Sequence, residues 1–115
     1  MKVWCIDPQS GGTEIPSEHY SLITNQVVAY EVQQKWYPAF RIKLRFKKQF
    51  CYLDGYEEGK ETFPIGRLRY FQYSGWSMAF YSYSNETYKP CLFQDGKWYG
   101  TIENAIDICS VYLTN

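Results

Sequence analysis

The most regular pattern of hydrophobic and polar residues in the chain lies between Phe40 and Lys47. The apolar positions are Phe40, Ile42, Leu44 and Phe46, and the cations between them are Arg41, Lys43, Arg45 and Lys47. Successive side chains of a strand point to opposite sides of a sheet, so this period of two predicts a half-buried strand. The apolar set is expected to face the core and the cationic set to face outward.

Similar patterns continue through the middle of the chain. The further predicted strands are Phe50 to Tyr56, Ile65 to Tyr73, Trp76 to Tyr83 and Tyr88 to Phe93. The short connection Lys47-Lys48-Gln49 makes the first two strands an antiparallel hairpin. Pro90 has no N–H for a ladder, so the last strand is expected at an edge. Asp95-Gly96 predicts a tight turn, with Lys97 to Tyr99 pairing back.

Helical spacing is found on both sides of these strands. From Pro16 to Trp36 a helical face is formed by Leu22, Ile23, Val27, Tyr30 and Gln34, and Pro38 ends the helix. A second helix is predicted to begin after Thr101, its N-cap, with one face formed by Ile102, Ala105, Ile106, Cys109, Tyr112 and Leu113. A short strand is also predicted at Lys2 to Ile6.

The order of these elements predicts an α+β fold. It is an antiparallel β-meander of about five strands, with an N-terminal and a C-terminal helix packed on one face. A chain of 115 residues is the usual size of one domain, and no linker or internal repeat divides it. We therefore expect a single domain spanning residues 1–115.

Composition strengthens the β assignment and places the basic charge. Aromatic residues make up 20% of the chain, with 12 Tyr, and such residues favour sheet surfaces. The net charge is zero, but residues 40–73 carry eight basic and four acidic side chains. Any attraction to a polyanion is therefore expected in this middle third.

The predicted outer side of the sheet is the first candidate site. Its candidate binding residues are Arg41, Lys43, Arg45, Tyr52, Tyr56, Arg67 and Arg69. Aromatic and cationic residues together are typical of protein interfaces, and we expect a non-catalytic domain that binds a protein partner or a second copy of itself. Binding of single-stranded nucleic acid (RNA) on the same face is the alternative, because bases stack on aromatic rings while cations hold the phosphates. The plainest interpretation is a solvated face of cross-strand pairs.

Carboxylates form the second candidate site. Asp54, Glu57, Glu58 and Glu61 cluster around Lys60, and Glu58-Gly59-Lys60 is formally similar to the acidic-x-Lys element of metal-dependent nucleases. A second alternative is a metal-dependent hydrolase or nuclease that acts through Asp54 and Glu57. The spacing is compressed and typical of a solvated loop, so Glu57 to Glu61 has no assigned role. No cofactor, metal ligand set or catalytic residue is predicted.

The remaining reactive side chains indicate no enzyme class. His19 is the only histidine, and its place in the first helical turns suggests a solvated residue. Cys51, Cys91 and Cys109 are expected to be small buried residues, whereas Cys5 is left open as a reactive thiol. No apolar run approaches the roughly 20 residues that span a bilayer. A cytoplasmic protein without a membrane partner is the expectation.

Four stretches of the sequence resemble those of known proteins. They are Trp4 to Pro8 with Ser10-Gly11-Gly12, Phe50 to Asp54, Arg67 to Phe71, and Phe80 to Ser84. Together they resemble a family of small uncharacterised bacterial proteins, a domain of unknown function. The resemblance implies a bacterial, cytosolic origin and carries over no catalytic residue.

Overall fold

The computed structural model describes residues 8–114 and consists of a five-stranded sheet and two α-helices. The helices are α1 (Tyr20–Glu31) and α2 (Ile102–Cys109), and the strands are β1 (Phe40–Lys47), β2 (Phe50–Glu57), β3 (Phe63–Phe71), β4 (Gly75–Ser82) and β5 (Thr87–Cys91). One 3-10 turn, Ser17–His19, precedes α1, and another, Ser110–Tyr112, follows α2. The predicted strand at Lys2 to Ile6 lies outside the described residues.

The sheet is an antiparallel meander in which each strand pairs with its neighbours in the chain. The strand order is β1-β2-β3-β4-β5, which places β1 and β5 at the two edges. The hairpin between β1 and β2 turns at Lys48, whose φ is 54°. Gly75 begins β4 with a φ of 92°, a conformation that glycine adopts without steric cost. The prediction that Pro90 lies in an edge strand is confirmed, because β5 contains it.

Both helices pack on the same face of the sheet, so the predicted fold class is confirmed. The inner face, defined by Ile42, Leu44, Leu53, Leu68 and Met78, forms one core with the buried sides of the helices. Leu53 and Leu68 are fully buried there. Burying each such side chain contributes roughly 1.5–3 kcal/mol. The opposite side, the outer face, carries the alternating cations of β1.

The C-terminal helix follows its sequence pattern closely. The backbone N–H of Asn104 donates to Thr101 Oγ1 at 3.1 Å, which confirms the predicted N-cap. Ile102, Ala105, Ile106, Cys109 and Leu113 are buried as expected, and Tyr112 is half-buried. Close packing depends on Gly66, because a Cβ there would lie 2.6 Å from the Sγ of Cys109.

The N-terminal helix departs from its predicted bounds and face. It ends at Glu31 rather than Trp36, and Leu22 is 66% exposed, so placing Leu22 on the buried face is wrong. Glu31 is only 1% exposed, and it accepts hydrogen bonds from the Arg41 side chain and from the N–H of Ile42. A charged residue is buried here because β1 satisfies it, which the pattern of α1 alone could not indicate.

Strand bounds also shift where turns compete for backbone groups. The third strand ends at Phe71, because the N–H of Ser74 bonds to Phe71 O in the following turn. The fifth ends at Cys91 rather than Phe93. Phe93 leaves the ladder because its N–H donates to Lys97 O at 2.9 Å around the Asp95-Gly96 turn. In place of the predicted strand at Lys97 to Tyr99, Lys97 accepts this bond and Gly100 forms an isolated bridge with Trp76.

No helix within residues 8–114 has the length and apolar character that a membrane crossing requires.

Candidate binding face

The strand registers bring the predicted binding residues together on the outer face. Arg41 pairs with Tyr56, Arg45 with Tyr52, Tyr52 with Arg67, and Phe50 with Arg69, while Lys43 alternates with them along β1. All seven predicted residues therefore lie on the side of the sheet away from the helices. Whether they bind a ligand stays a prediction.

Arg45 is held by two neighbours on β2. Its Nε lies 2.5 Å from Asp54 Oδ2 and its Nη2 lies 3.2 Å from Asp54 Oδ1, a two-pronged ion pair. Its guanidinium also stands 4.6 Å above the centre of the Tyr52 ring. The hydrogen bond to Asp54 raises the pKa of Arg45, although burial works in the opposite direction. The positive charge of Arg45 is thus already balanced within the fold.

Arg41 also has a carboxylate partner. Its Nε lies 2.8 Å from Glu31 Oε2, and its guanidinium stands 5.2 Å from the centre of the Tyr37 ring. The hydrogen bond to Glu31 raises the pKa of Arg41 against the effect of burial. Arg41 therefore links the end of α1 to β1. Its role in the described chain is structural, because its guanidinium is already paired with a carboxylate.

Arg67 stands in a different environment from these two arginines. Its guanidinium lies 4.8 Å from the centre of the Phe50 ring and 5.1 Å from that of Tyr88. Among residues 8–114, no carboxylate forms an ion pair with Arg67 and no group hydrogen-bonds to its side chain. Two rings hold the cation in place while its N–H donors remain unused by this part of the chain.

Phe50 and Tyr88 are functional candidates outside the seven predicted binding residues. Phe50 carries Arg67 on its ring and also Arg69, at 4.7 Å. Tyr88 lies on β5, two strands from Arg67, and the side chains meet because β4 presents the small Ala79 directly opposite Arg67. The alternation of β2 could have placed Phe50 on this face. Finding Tyr88 required the strand order.

Tyrosine rings continue this surface toward the β5 edge. The ring of Tyr88 makes edge-to-face contacts with Tyr52 at 5.6 Å and with Tyr81 at 5.0 Å. Burial raises the pKa of the Tyr88 hydroxyl, and the nearby Arg45 partly offsets that effect. Such edge-to-face pairs fix ring orientations, so this part of the outer face is a rigid aromatic surface.

The N-terminal segment covers one end of the outer face. Ser77 Oγ on β4 donates to Pro8 O at 2.5 Å, and Arg69 Nη1 donates to Gly11 O at 2.9 Å. Gly12 lies so close to the sheet that a Cβ there would be 2.8 Å from Tyr70 O. The outer face is therefore open around Lys43 and Arg45 but overlaid by residues 8–12 near Arg69.

The acidic residues near the β2–β3 hairpin do not converge. Asp54 and Glu57 are three positions apart on one strand, so their side chains leave opposite faces of the sheet. Asp54 pairs with Arg45, and Glu57 pairs with Lys60 at 2.9 Å. Residues 8–114 contain no group of three His, Cys, Asp or Glu side chains suited to a metal ion. The geometry offers no observation in favour of the hydrolase alternative.

The described thiols are placed for packing. Cys51 and Cys109 are fully buried, and burial raises the pKa of each to about 12. Cys91 is half-buried, which corrects the expectation that it is buried, and its pKa is raised by the same cause. The prediction for Cys5 lies outside the described residues. Cys51 and Cys109 are thus protonated and enclosed at neutral pH.

Comparison of the chain with protein-family models, curated proteins and solved structures finds no match. The bacterial origin implied by the resemblance therefore stays a prediction.

Proposed function

We propose that this chain is a non-catalytic interaction domain whose outer face binds an acidic surface or segment of another protein. The observation that carries the proposal is the Arg67 guanidinium, held between the rings of Phe50 and Tyr88 without a carboxylate partner in the described chain. A guanidinium fixed in this way loses little conformational freedom when it binds, and its planar donors match a carboxylate.

The surroundings of Arg67 fit a protein interface. Tyrosine and arginine are enriched among the residues that dominate binding energy at protein interfaces. Tyr52 and Tyr88 supply such a patch beside Arg67. The contact would be a mixed aromatic and polar one, with a partner carboxylate bound at Arg67.

Single-stranded nucleic acid is the second candidate for the same face. Its support is the combination of cations and rings, together with Lys43 and Lys47, which have no ion-pair partner among residues 8–114. Bases bind such surfaces by stacking on open ring faces. Here Arg45 already covers Tyr52, and Arg67 and Arg69 cover Phe50. Since these ring faces are occupied, the protein partner is the better-supported proposal.

A cytoplasmic location belongs to the same proposal. Cys51, Cys91 and Cys109 are free thiols, the ordinary state of cysteine in a reducing compartment. The proposal also treats the chain as one domain, with a protein partner rather than a membrane.

The test is a selection of peptides from a random library displayed on phage, with the purified chain as target. We expect enrichment of peptides rich in Asp and Glu that bind the wild type and are lost on Arg67→Met. That substitution retains an apolar side chain of similar length but removes the charge. Lys97→Met, which removes a cation from the loop after β5, is the control and should retain binding.

Two results would contradict the proposal. One is the absence of any enriched sequence; the other is equal binding of the enriched peptides to wild type and Arg67→Met. A parallel anisotropy titration with fluorescent oligothymidine at low salt distinguishes the second candidate. Tight oligothymidine binding that is lost on Arg67→Met, with no acidic peptide selected, would favour nucleic acid.

A further inference from the structure

The edge of β1 that faces away from β2 has unused backbone groups. The N–H of Phe40 donates to Trp36 O at 2.9 Å, and the N–H of Ile42 donates to Glu31 Oε2 at 3.0 Å. The N–H groups of Phe40 and Ile42 therefore point away from β2. Backbone direction repeats every second residue in a strand. The N–H groups of Leu44 and Phe46 therefore point the same way, and no residue within 8–114 accepts from them.

A groove lies beside the first of these groups, at Leu44. It has a volume of about 580 Å³, within the range of ligand pockets, roughly 300–1,000 Å³. Ile42, Lys43 and Leu44 of β1 line it, together with Thr24 of α1, Tyr56 of β2 and the β2–β3 loop, which contributes Glu58 and Lys60. The α1 wall is held in place by Tyr20, whose ring stacks on that of Phe46 at 4.1 Å. The edge is thus bordered by a preformed cavity rather than by bare solvent.

The charges along β1 determine which charge a ligand of this edge should have. Arg41 and Arg45 are paired with Glu31 and Asp54, but Lys43 and Lys47 have no ion-pair partner in the described part of the chain. A second copy pairing antiparallel through this edge would set cations against cations, which destabilises cross-strand pairs. An extended segment with carboxylates on one side would meet Lys43 and Lys47 instead.

We propose that the free edge of β1 binds an extended acidic peptide by strand addition, with the peptide backbone paired to Leu44 and Phe46. In an added strand, side chains alternate between the two faces of the sheet. Acidic side chains on the outer side would lie beside Lys43 and Lys47, and apolar ones on the inner side would enter the groove at Ile42 and Leu44. This site is separate from the Arg67 position of the proposed function and does not depend on it.

Fluorescence anisotropy with a labelled, alternating Glu-Val peptide tests the proposal. The matched probe is the same peptide with N-methyl groups on alternate backbone nitrogens, which keeps charge and side chains but removes the ladder donors. We expect the methylated peptide to bind more than about tenfold more weakly, because several backbone hydrogen bonds are lost together. Equal binding of the two peptides would overturn strand addition.

A pair of variants tests the protein side of the ladder. Leu44→Pro removes the N–H that points to the free edge, a position at which an edge strand tolerates proline. Leu44→Ala makes a comparable loss of packing but retains the N–H. We expect roughly twofold to tenfold weaker peptide binding for Leu44→Pro than for Leu44→Ala. If Leu44→Pro does not fold, the methylated peptide still decides the question.

Two further measurements separate this site from its alternatives. In Arg67→Met the unmethylated Glu-Val peptide should still bind more tightly than its methylated form, because Arg67 lies outside the β1 edge; this readout makes failure of the outer-face proposal and failure of this one distinguishable. Equal binding of the two peptides in that variant would overturn the edge site. Light scattering of the wild type should show a monomer. A dimer that Leu44→Pro dissociates, with no peptide bound, would assign the edge to a second copy and overturn the peptide proposal.

Discussion

The two faces of the sheet are stabilised by different kinds of interaction. On the inner face, Leu53 and Leu68 are fully buried in a continuous apolar core against both helices. On the outer face, Arg45 and Arg67 lie on aromatic rings and remain partly exposed. Apolar packing is non-directional and scales with buried area, whereas ion pairs and ring contacts depend on geometry and are weakened by water.

This difference separates stability from recognition. The inner-face side chains are packed in the core, so a substitution there lowers the free energy of unfolding. The outer face keeps groups that the described chain does not satisfy, Arg67 and Lys43 among them. We therefore expect inner-face substitutions to unfold the protein and outer-face substitutions to alter binding while the fold is kept.

The largest effect is expected from truncation of the inner face. Leu68→Ala should lower the free energy of unfolding by roughly 2–5 kcal/mol, because a fully buried leucine is replaced by a cavity. Urea denaturation followed by tryptophan fluorescence measures the loss. A change below about 1 kcal/mol would mean that the core relaxes into the space and that the inner face is less tightly packed than described.

A smaller effect is expected where the outer face is most buried. Asp54 is only 4% exposed and is the carboxylate partner of Arg45. Asp54→Asn should cost roughly 1–3 kcal/mol, because it weakens two charge-assisted hydrogen bonds. Glu57→Gln is the matched control, since its partner Lys60 is exposed, and should change stability by less than about 0.5 kcal/mol. Equal losses of unfolding free energy in the two variants would contradict the prediction that the ion pair of Asp54 contributes more than that of Glu57.

Arg67 should contribute least to folding. Arg67→Met keeps the apolar stem between Phe50 and Tyr88 and removes only the cation–π attraction, so we expect a loss of about 0.5–1 kcal/mol. Thermal unfolding by circular dichroism provides the measurement. A loss as large as that of Leu68→Ala would show that Arg67 is structural, and the case for its role in binding would be lost.

Thiol reactivity compares the inner face with the sheet edge in the wild-type protein. Burial raises the pKa of Cys51, on the inner face, to about 12, so the reactive thiolate is scarce as well as enclosed at about pH 8. Cys91, on the edge strand, is only half-buried. Peptide mapping after brief iodoacetamide treatment should find Cys91 alkylated before Cys51 and Cys109. Early alkylation of Cys51 would reveal local opening of the sheet.

Several parts of the fold could be predicted because their determinants are local. The alternation of Phe40–Lys47 assigns each side chain to a face, and the pattern after Thr101 identifies both the N-cap and the buried side of α2. The helix α1 was predicted less well. Its buried Glu31 makes sense only beside Arg41 and Ile42, which no helical pattern includes.

The candidate site was predictable to the same extent. Alternation and a short hairpin were enough to place Arg45 beside Tyr52 and Arg67 on one face. The contact of Arg67 with Tyr88 was not, because it crosses β4 and needs the strand order and the small Ala79 between them. The cover that residues 8–12 form near Arg69 also depends on distant pairing, through Ser77.

The sequence by itself determined that the sheet has two faces, because side-chain direction follows from the two-residue period of a strand. It also determined that two helices accompany the sheet. Only the tertiary structure decided which cations are neutralised, which rings are covered and which edge stays open. Those outcomes depend on the distance between side chains far apart in the chain, and folding sets that distance by packing the whole sheet at once.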